Sequence, residues 1–241
     1  MGASTISSPD LLQVFDRLYA AYGPQRWWPA DTHLEVVLGA ILTQAAAWGN
    51  VEQALARLKA ASCFSVEALR DIPEDQLAEL IRSSGYFNVK AKKLKAFINH
   101  LWAQHGGDLE AMLSQEGKSL RAELLAIYGI GEETADDILL YAGSHPFFVI
   151  DSYTRRILDR MGLAPTSQTY HAYQELFHQG LSADAALFNE YHALLDRHAK
   201  EACRKIPLCE ECCLQGLCVT GRGRALEQAE EQPLPGAALG A

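Results

Sequence analysis

The sequence predicts an all-α protein made of two helical domains. Apolar residues recur at helical spacing along most of the 241 residues, and Ala91, Leu94, Ile98 and Leu101 show one such helix face. Long alternating patterns typical of strands are missing, and residues 146–150 are the one short segment that resembles a strand. The apolar segments follow each other at short intervals, as in bundles, so we expect about ten helices.

The composition is that of a globular protein without a membrane segment. Hydrophobic residues make up 49% and charged residues 21% of the chain, and the formal net charge is −9. The segment Met1–Ile6 has neither the basic flank nor the apolar run of a signal peptide. We therefore expect a cytoplasmic protein, in which cysteines stay reduced and indicate metal binding before disulfides.

The negative net charge does not exclude a nucleic-acid partner, because such binding depends on local basic clusters. Three clusters qualify: Lys90, Lys92, Lys93 and Lys95; Arg155 and Arg156; and Arg197, Lys200, Arg204 and Lys205. A solvated helix face is the alternative for each cluster, and for the first cluster alone it is the favoured interpretation.

Residues 124–142 are typical of two helices joined by a glycine-rich turn. Gly129 and Gly131 flank Ile130, so the turn can adopt backbone angles that other residues avoid while Ile130 fills the space between the helices. The turn and the first N–H groups of the second helix, around Thr134, would then form an anion site for a DNA phosphate. Taken alone, the segment is equally compatible with a plain helical hairpin.

This segment resembles the hairpin of the helix-hairpin-helix DNA glycosylases, the superfamily typified by endonuclease III. There a Gly/Pro-rich stretch and a required aspartate follow the hairpin, and here the stretch from Gly143 ends at Asp151. The resemblance implies that Asp151 is catalytic. A helix N-cap ahead of Ser152 is the alternative role, and both roles are compatible because a cap would also hold the carboxylate in place.

The resemblance also implies the domain organisation. A helical bundle over residues 31–142 would end in the hairpin, and residues 1–30 with 143–220 would form the second domain. The two domains would flank a DNA-binding cleft, with Asp151 where they meet. Residues 221–241, rich in Gly, Ala, Glu and Pro, are expected to be a disordered tail.

Four cysteines near the C-terminus indicate a metal centre. They follow the pattern C-x5-C-x2-C-x5-C at Cys203, Cys209, Cys212 and Cys218, which suits one tetrahedral zinc ion or one cubane cluster. The loop resembles the cluster loop of endonuclease III and thereby implies a [4Fe–4S] cofactor. The family usually has six residues in the first gap, whereas this chain has five. Cys213 is expected not to be a ligand.

The family lysine that cuts the DNA backbone is missing. Superfamily members that cut the strand use a lysine at the fifth residue from the first hairpin glycine, and this chain has Glu133 there. A carboxylate cannot form a Schiff base, so the resemblance implies a monofunctional enzyme. In that reaction water attacks the sugar while Asp151 activates the water or stabilises the positive charge of the sugar.

Three tryptophans suggest the substrate. Trp27, Trp28 and Trp48 resemble the aromatic residues that line the base pocket in the 3-methyladenine glycosylase branch of the superfamily. A flipped alkylated purine carries positive charge, which aromatic faces attract. A core position is an equal alternative for Trp28 and Trp48, and for Trp27 a core or surface position is the favoured interpretation.

The residue that fills the gap left by the flipped base stays unassigned. Gln44 is the candidate, but an ungapped match to the family places this residue at Ala45, and the loop over residues 86–88 is a further possibility. The expected partner is duplex DNA with a damaged base, bound by a monomer. The competing functions are a bifunctional, endonuclease III-like enzyme for oxidised pyrimidines and a non-catalytic DNA-binding protein.

Overall fold

The computed structural model describes residues 10–231, with side chains through residue 225. This part of the chain is helical without a β-strand, so the all-α prediction is confirmed. Its α-helices are α1 (Leu11–Tyr22), α2 (His33–Thr43), α3 (Trp48–Ala60), α4 (Val66–Asp71), α5 (Glu74–Leu80), α6 (Phe87–His105), α7 (Leu109–Leu113), α8 (Gly117–Ala126), α9 (Glu132–Asp137), α10 (Ser152–Met161), α11 (Tyr170–Gly180), α12 (Ala185–Glu201) and α13 (Val219–Glu231). A 3-10 helix spans Arg82–Ser84, and a π-helical segment over Ile138–Ala142 continues α9.

The chain divides into two compact units. The unit that we call the bundle unit consists of Trp27–Val149 and Ala183–Asn189. Its central helix is α2, in which every residue from Glu35 to Leu42 is buried. A helix that is apolar all round has to be surrounded by others, and α3, α6, α9 and the π-helical segment pack against it.

The second unit, which we call the cysteine unit, consists of Met1–Arg26, Ile150–Ser182 and Glu190–Ala241, as far as these are described. Helix α1 begins at the N-cap Asp10, whose carboxylate accepts a hydrogen bond from the Leu12 N–H at 3.1 Å. The hydroxyl of the buried Tyr191 donates to the Leu11 carbonyl at 2.8 Å, and its ring contacts that of Phe15. Side chains far apart in sequence therefore build this unit.

The boundaries of the units differ from the expected ones. Trp28 belongs to the bundle unit, where its ring contacts Trp48 and Tyr141. Phe148 contacts Phe188 edge-on with ring centres 5.3 Å apart, and both also belong to the bundle unit. These aromatic contacts explain why the boundaries follow residues 26 and 149 rather than residues 30 and 142.

Helix α13 occupies part of the segment that was expected to be disordered. The prediction is wrong for residues 221–231, and residues 232–241 lie outside the described part of the chain. The start of the helix is tied to the cysteine unit, because the Thr220 hydroxyl donates to the Arg160 carbonyl at 2.9 Å and Val219 packs against Gly162. Composition does not reveal such contacts.

Within residues 10–231, no helix is long and apolar enough to cross a membrane.

Two of the four lysines in the α6 cluster bind backbone carbonyls of the protein instead of forming a basic surface. Lys90 is only 2% exposed, and its ammonium group donates to the carbonyls of Leu42 and Ser84 at 2.8 and 2.6 Å. Lys95 donates to the carbonyls of residues 69, 70 and 72. The favoured interpretation of this cluster as a solvated helix face is therefore wrong for these two lysines, because carbonyls that end other helices need donors.

Candidate functional site

The hairpin between α8 and α9 has the backbone that its glycines indicated. Gly129 has a φ of +85°, and a Cβ at this position would overlap the Lys93 side chain. Ile130 is 5% exposed and belongs to the core of the bundle unit, as its role between two helices requires. Gly131 is the N-cap residue of α9, so the first N–H groups of this helix follow the turn directly.

A side-chain network supports the hairpin from inside. The Gln44 amide donates to the Gly129 carbonyl at 3.0 Å and to the Thr134 hydroxyl at 2.9 Å, and the Lys93 ammonium donates to the Gln44 amide oxygen. The Thr134 hydroxyl is buried and accepts this hydrogen bond, so the side chain supports the turn, while the phosphate contact of the backbone N–H groups around Thr134 stays a prediction. Gln44 likewise uses its amide within the bundle unit and supports the turn.

The exposed residues near these elements are different ones. Ala45 is exposed but carries only a methyl group. Tyr86, at the N-cap of α6, is 74% exposed, and Tyr128 next to the hairpin turn is also exposed. Among these three residues, only the two tyrosines offer a side chain large enough to stack with a base.

The cysteine unit holds Asp151 at the N-cap of α10. Its Oδ1 accepts a hydrogen bond from the Thr154 N–H at 2.7 Å, so one carboxylate oxygen is used to hold the group in place. The other oxygen, Oδ2, lies 4.0 Å from Nε2 of the largely buried His192. The carboxylate is 19% exposed, so it is fixed yet reachable. His192 is thereby a neighbour of the candidate catalytic group.

Three tryptophans of the bundle unit, Trp27, Trp28 and Trp48, form an aromatic cluster next to an open cavity of roughly 500 Å³. Trp27, Trp28 and Tyr141 line this cavity, and Trp48 contacts Trp28 edge-on with ring centres 5.3 Å apart. Gly39 admits the Trp28 ring, which a Cβ at that position would crowd. Such a volume suits a small ligand.

Tyr141 was not identified from the sequence. It lies on the π-helical segment, and its ring centre is 5.2 Å from that of Trp28. Helical periodicity of 3.6 residues does not apply in a π-helical segment, so the sequence pattern could not show which side chain faces the tryptophans. Glu133 is exposed in the first turn of α9.

The four predicted ligand cysteines line one small cavity of the cysteine unit. Its other walls are mainly apolar, and Cys213 is not among the lining residues. Burial raises the pKa of the Cys212 thiol to about 11, so ionisation of this thiol needs a nearby cation. The donor set thus fits a thiolate-bound metal or cluster shielded from water.

One neighbour of the cysteines, His198, was not predicted. Its side chain is buried, and burial lowers its pKa to about 4. Its Nδ1 lies 2.9 Å from the Tyr22 hydroxyl, and its Nε2 lies 3.7 Å from the Cys212 sulfur. A neutral ring that accepts from Tyr22 carries its proton on Nε2 and directs it toward this sulfur.

Two arginines of α10 tie the cysteine loop to the helix that Asp151 caps. Arg156 donates to the Cys203 carbonyl at 3.0 Å and to the Ala199 carbonyl at 3.2 Å. Arg160 donates to the carbonyls of Arg204 and Lys205 and lies 3.3 Å from the Cys203 sulfur. Arg156 therefore connects α10 to the cysteine loop within the cysteine unit and is not part of a basic surface.

Comparisons with known proteins agree with these features. Residues 38–183 match the model of a family described as HhH-GPD superfamily base excision DNA repair protein. A candidate DNA repair glycosylase of Methanocaldococcus jannaschii is 41% identical over 211 residues, which cover 87% of this chain and 96% of that relative.

Solved structures show the same fold. One is the 3-methyladenine DNA glycosylase of H. pylori bound to 1,N6-ethenoadenine, which superposes with a TM-score of 0.72 and 26% sequence identity. The match covers 80% of this chain and 98% of the H. pylori chain. A trapped covalent complex of endonuclease III with DNA has a TM-score of 0.77 at 18% identity and covers 89% of this chain and 98% of its own.

Proposed function

Because the chain belongs to the HhH-GPD superfamily of base excision DNA repair proteins and is a DNA repair glycosylase, we propose that it removes alkylated purines such as 3-methyladenine without cutting the DNA strand. The proposal that the strand is not cut depends on the presence of Glu133. It is exposed at the start of α9, where strand-cutting members would have their lysine. Residues 119–154 contain no lysine.

Asp151 would perform the hydrolysis. The glycosidic bond breaks with its electron pair going to the base, and a cationic base leaves as a neutral molecule. Water forms the new bond to the sugar carbon, and its proton passes to Oδ2 of Asp151, the oxygen that the Thr154 N–H does not use. The same carboxylate stabilises the positive charge of the sugar before water attacks.

The aromatic cavity supports the proposed substrate class. Trp27, Trp28 and Tyr141 offer ring faces to a flipped base, and a desolvated cation gains most from such faces. A solved relative that is a 3-methyladenine DNA glycosylase supports this choice.

The DNA partner would be duplex DNA with a damaged base, bound by a monomer. The hairpin would hold a phosphate through the N–H groups that follow Gly129 and Gly131, a contact that positions DNA without reading its sequence. The gap left by the flipped base would be filled by Tyr86 from its exposed loop.

The cofactor would be a [4Fe–4S] cluster held by Cys203, Cys209, Cys212 and Cys218. The mainly apolar cavity that the four cysteines share supports this assignment. The cluster would hold the loop that Arg156 and Arg160 strap to α10, and through this helix it would keep Asp151 in position.

A bifunctional enzyme for oxidised pyrimidines is the second candidate. The observation that favours it is Lys93, an amine beside the hairpin, although its ammonium group already donates to Gln44. Schiff-base chemistry through this amine would require it to leave that hydrogen bond.

The test uses duplex oligonucleotides, each with one lesion. With 3-methyladenine we expect base release that becomes strand cleavage only after alkali, and no covalent complex on addition of borohydride. Efficient trapping that disappears in Lys93→Met would establish the second candidate. Activity on thymine glycol, with none on methylated purines, would overturn the substrate assignment.

A further inference from the structure

Three side chains of the bundle unit converge at a point that the proposed reaction does not use. Nε2 of His100 and Nε2 of His105 each lie 2.6 Å from Oε1 of Glu123. These three atoms all lie within 4.8 Å of one another, and none of the three residues lines the aromatic cavity. The side chains are 25%, 16% and 18% exposed, so the group is shielded but open to solvent ions.

The local structure explains why the two rings meet. His100 and His105 lie in the last turns of α6, and Gly106 ends the helix in the left-handed conformation. Glu123 comes from α8. The carbonyl end of a helix carries partial negative charge and favours a nearby cation.

A fourth side chain holds the carboxylate in place. The Gln115 amide donates to Oε2 of Glu123 at 2.7 Å, which leaves Oε1 for the two histidines. The oxygen that faces the two imidazoles is therefore the one that would bind an ion.

We propose that His100, His105 and Glu123 bind a divalent transition-metal ion, with zinc as the preferred occupant. Two imidazoles and one carboxylate are an established zinc donor set, with a fourth position left for water. Bond lengths of about 2.0–2.2 Å require ligand atoms about 3.3 Å apart, so each Nε2 has to move by well under 1 Å relative to Oε1. Gln115 serves as the outer partner that orients the carboxylate.

The ion would join the end of α6 to α8, the helix that leads into the hairpin. It would thereby stabilise the bundle unit near its proposed DNA contact, through the affinity of the folded form for the metal. The competing interpretation is an ion pair between protonated histidines and Glu123, which needs no metal.

The experiment uses the full chain with its cysteines occupied by the native cluster, stripped of loosely bound metal by a chelator. Titration with Zn²⁺ should show one further site. Co²⁺ should give the weak visible bands of nitrogen and oxygen ligands, without the intense near-ultraviolet band that thiolate ligands produce. Zinc should also raise the Tm of the bundle unit.

Matched variants assign the site. His105→Gln and Glu123→Gln should abolish the additional metal, and Gln115→Ala should weaken binding by roughly 10- to 100-fold. The control is His178→Gln, which changes a partly buried histidine near one carboxylate in the cysteine unit. The proposal is overturned if the unaltered protein binds no additional metal, or if His105→Gln binds zinc as tightly as His178→Gln. Since the readout is metal binding, it does not depend on base excision.

Discussion

At the residue scale, a substitution can separate the N-cap role of Asp151 from its proposed catalytic role. Asn also accepts a hydrogen bond at an N-cap, so Asp151→Asn keeps α10 capped while it removes the negative charge. We expect base release to fall by at least 100-fold. DNA affinity and Tm should change little.

Single-turnover excision, fluorescence anisotropy and thermal unfolding measure these three quantities. Asp151→Ala is the comparison, because it also loses the cap and should lower stability by about 1 kcal/mol. A variant Asp151→Asn with full activity would remove the carboxylate from the mechanism.

A second prediction at this scale concerns Trp28, which lines the cavity and is covered by Trp48 and Tyr141. Trp28→Ala should slow excision of 3-methyladenine by up to roughly 30-fold more than excision of the neutral base hypoxanthine, which corresponds to a cation–π contribution of up to about 2 kcal/mol. Excision rates on the two substrates give this ratio. Equal losses on both would mean that the ring only shapes the cavity.

At the scale of elements, the two hairpin glycines should respond differently. Gly129→Ala places a side chain at positive φ and against Lys93, so we expect a loss of about 1–3 kcal/mol in stability. Gly131→Ala meets no neighbouring atom and should cost less stability, because only the weaker N-cap preference of Ala acts there. Both changes should weaken DNA binding, because both lie where a phosphate would approach. Urea unfolding and DNA titrations separate the two effects, and unchanged DNA affinity in both variants would contradict the phosphate site.

Lys90 makes the stability of the bundle unit depend on pH. Burial, with a smaller effect from Lys93, lowers the pKa of Lys90 from 10.5 to about 8. Between these pH values the unfolded chain keeps a proton that the folded chain has lost, so the free energy of unfolding should rise with pH. Below about pH 8 both states carry the charge, and the slope should vanish.

Urea unfolding between about pH 8 and pH 10.5 tests this pH dependence. The variant Lys90→Met is compared with Lys92→Met, which changes an exposed lysine. The rise should disappear in Lys90→Met and persist in Lys92→Met. The same slope in all three proteins would show that another group titrates.

The sequence predicts those elements whose local pattern and tertiary surroundings agree. The hairpin could be predicted from the sequence because the turn at Gly129 and the buried side chain of Ile130 depend on residues close to them in the chain. Lys90 occupies the buried face of α6 four residues before Leu94, but its charge suggested solvent. Its partners, the carbonyls that end α2 and the 3-10 helix, come from other parts of the chain. The same reason hid Tyr141 and His192, whose neighbours are set by packing.

At the scale of the whole molecule, the cysteines should determine both colour and activity. We expect the protein purified without air to be brown and to contain iron. Removal of the iron should reduce excision, because the loop that Arg156 and Arg160 strap to α10 loses its support. Metal analysis and excision assays before and after chelation measure this. A colourless protein with stoichiometric zinc at these cysteines would contradict the cluster.

The discontinuous make-up of the cysteine unit has a consequence for biosynthesis. The Leu11 carbonyl accepts its hydrogen bond from Tyr191, which the ribosome adds 180 residues later. The bundle unit is almost continuous in sequence, from Trp27 to Val149, and can form its core while the rest of the chain is still being made. Helix α1 has to wait for α12, and the cysteine loop follows later still. Insertion of the proposed cluster would therefore be a late step of maturation, and a chain stalled before that step would carry a folded hairpin but no completed cysteine unit.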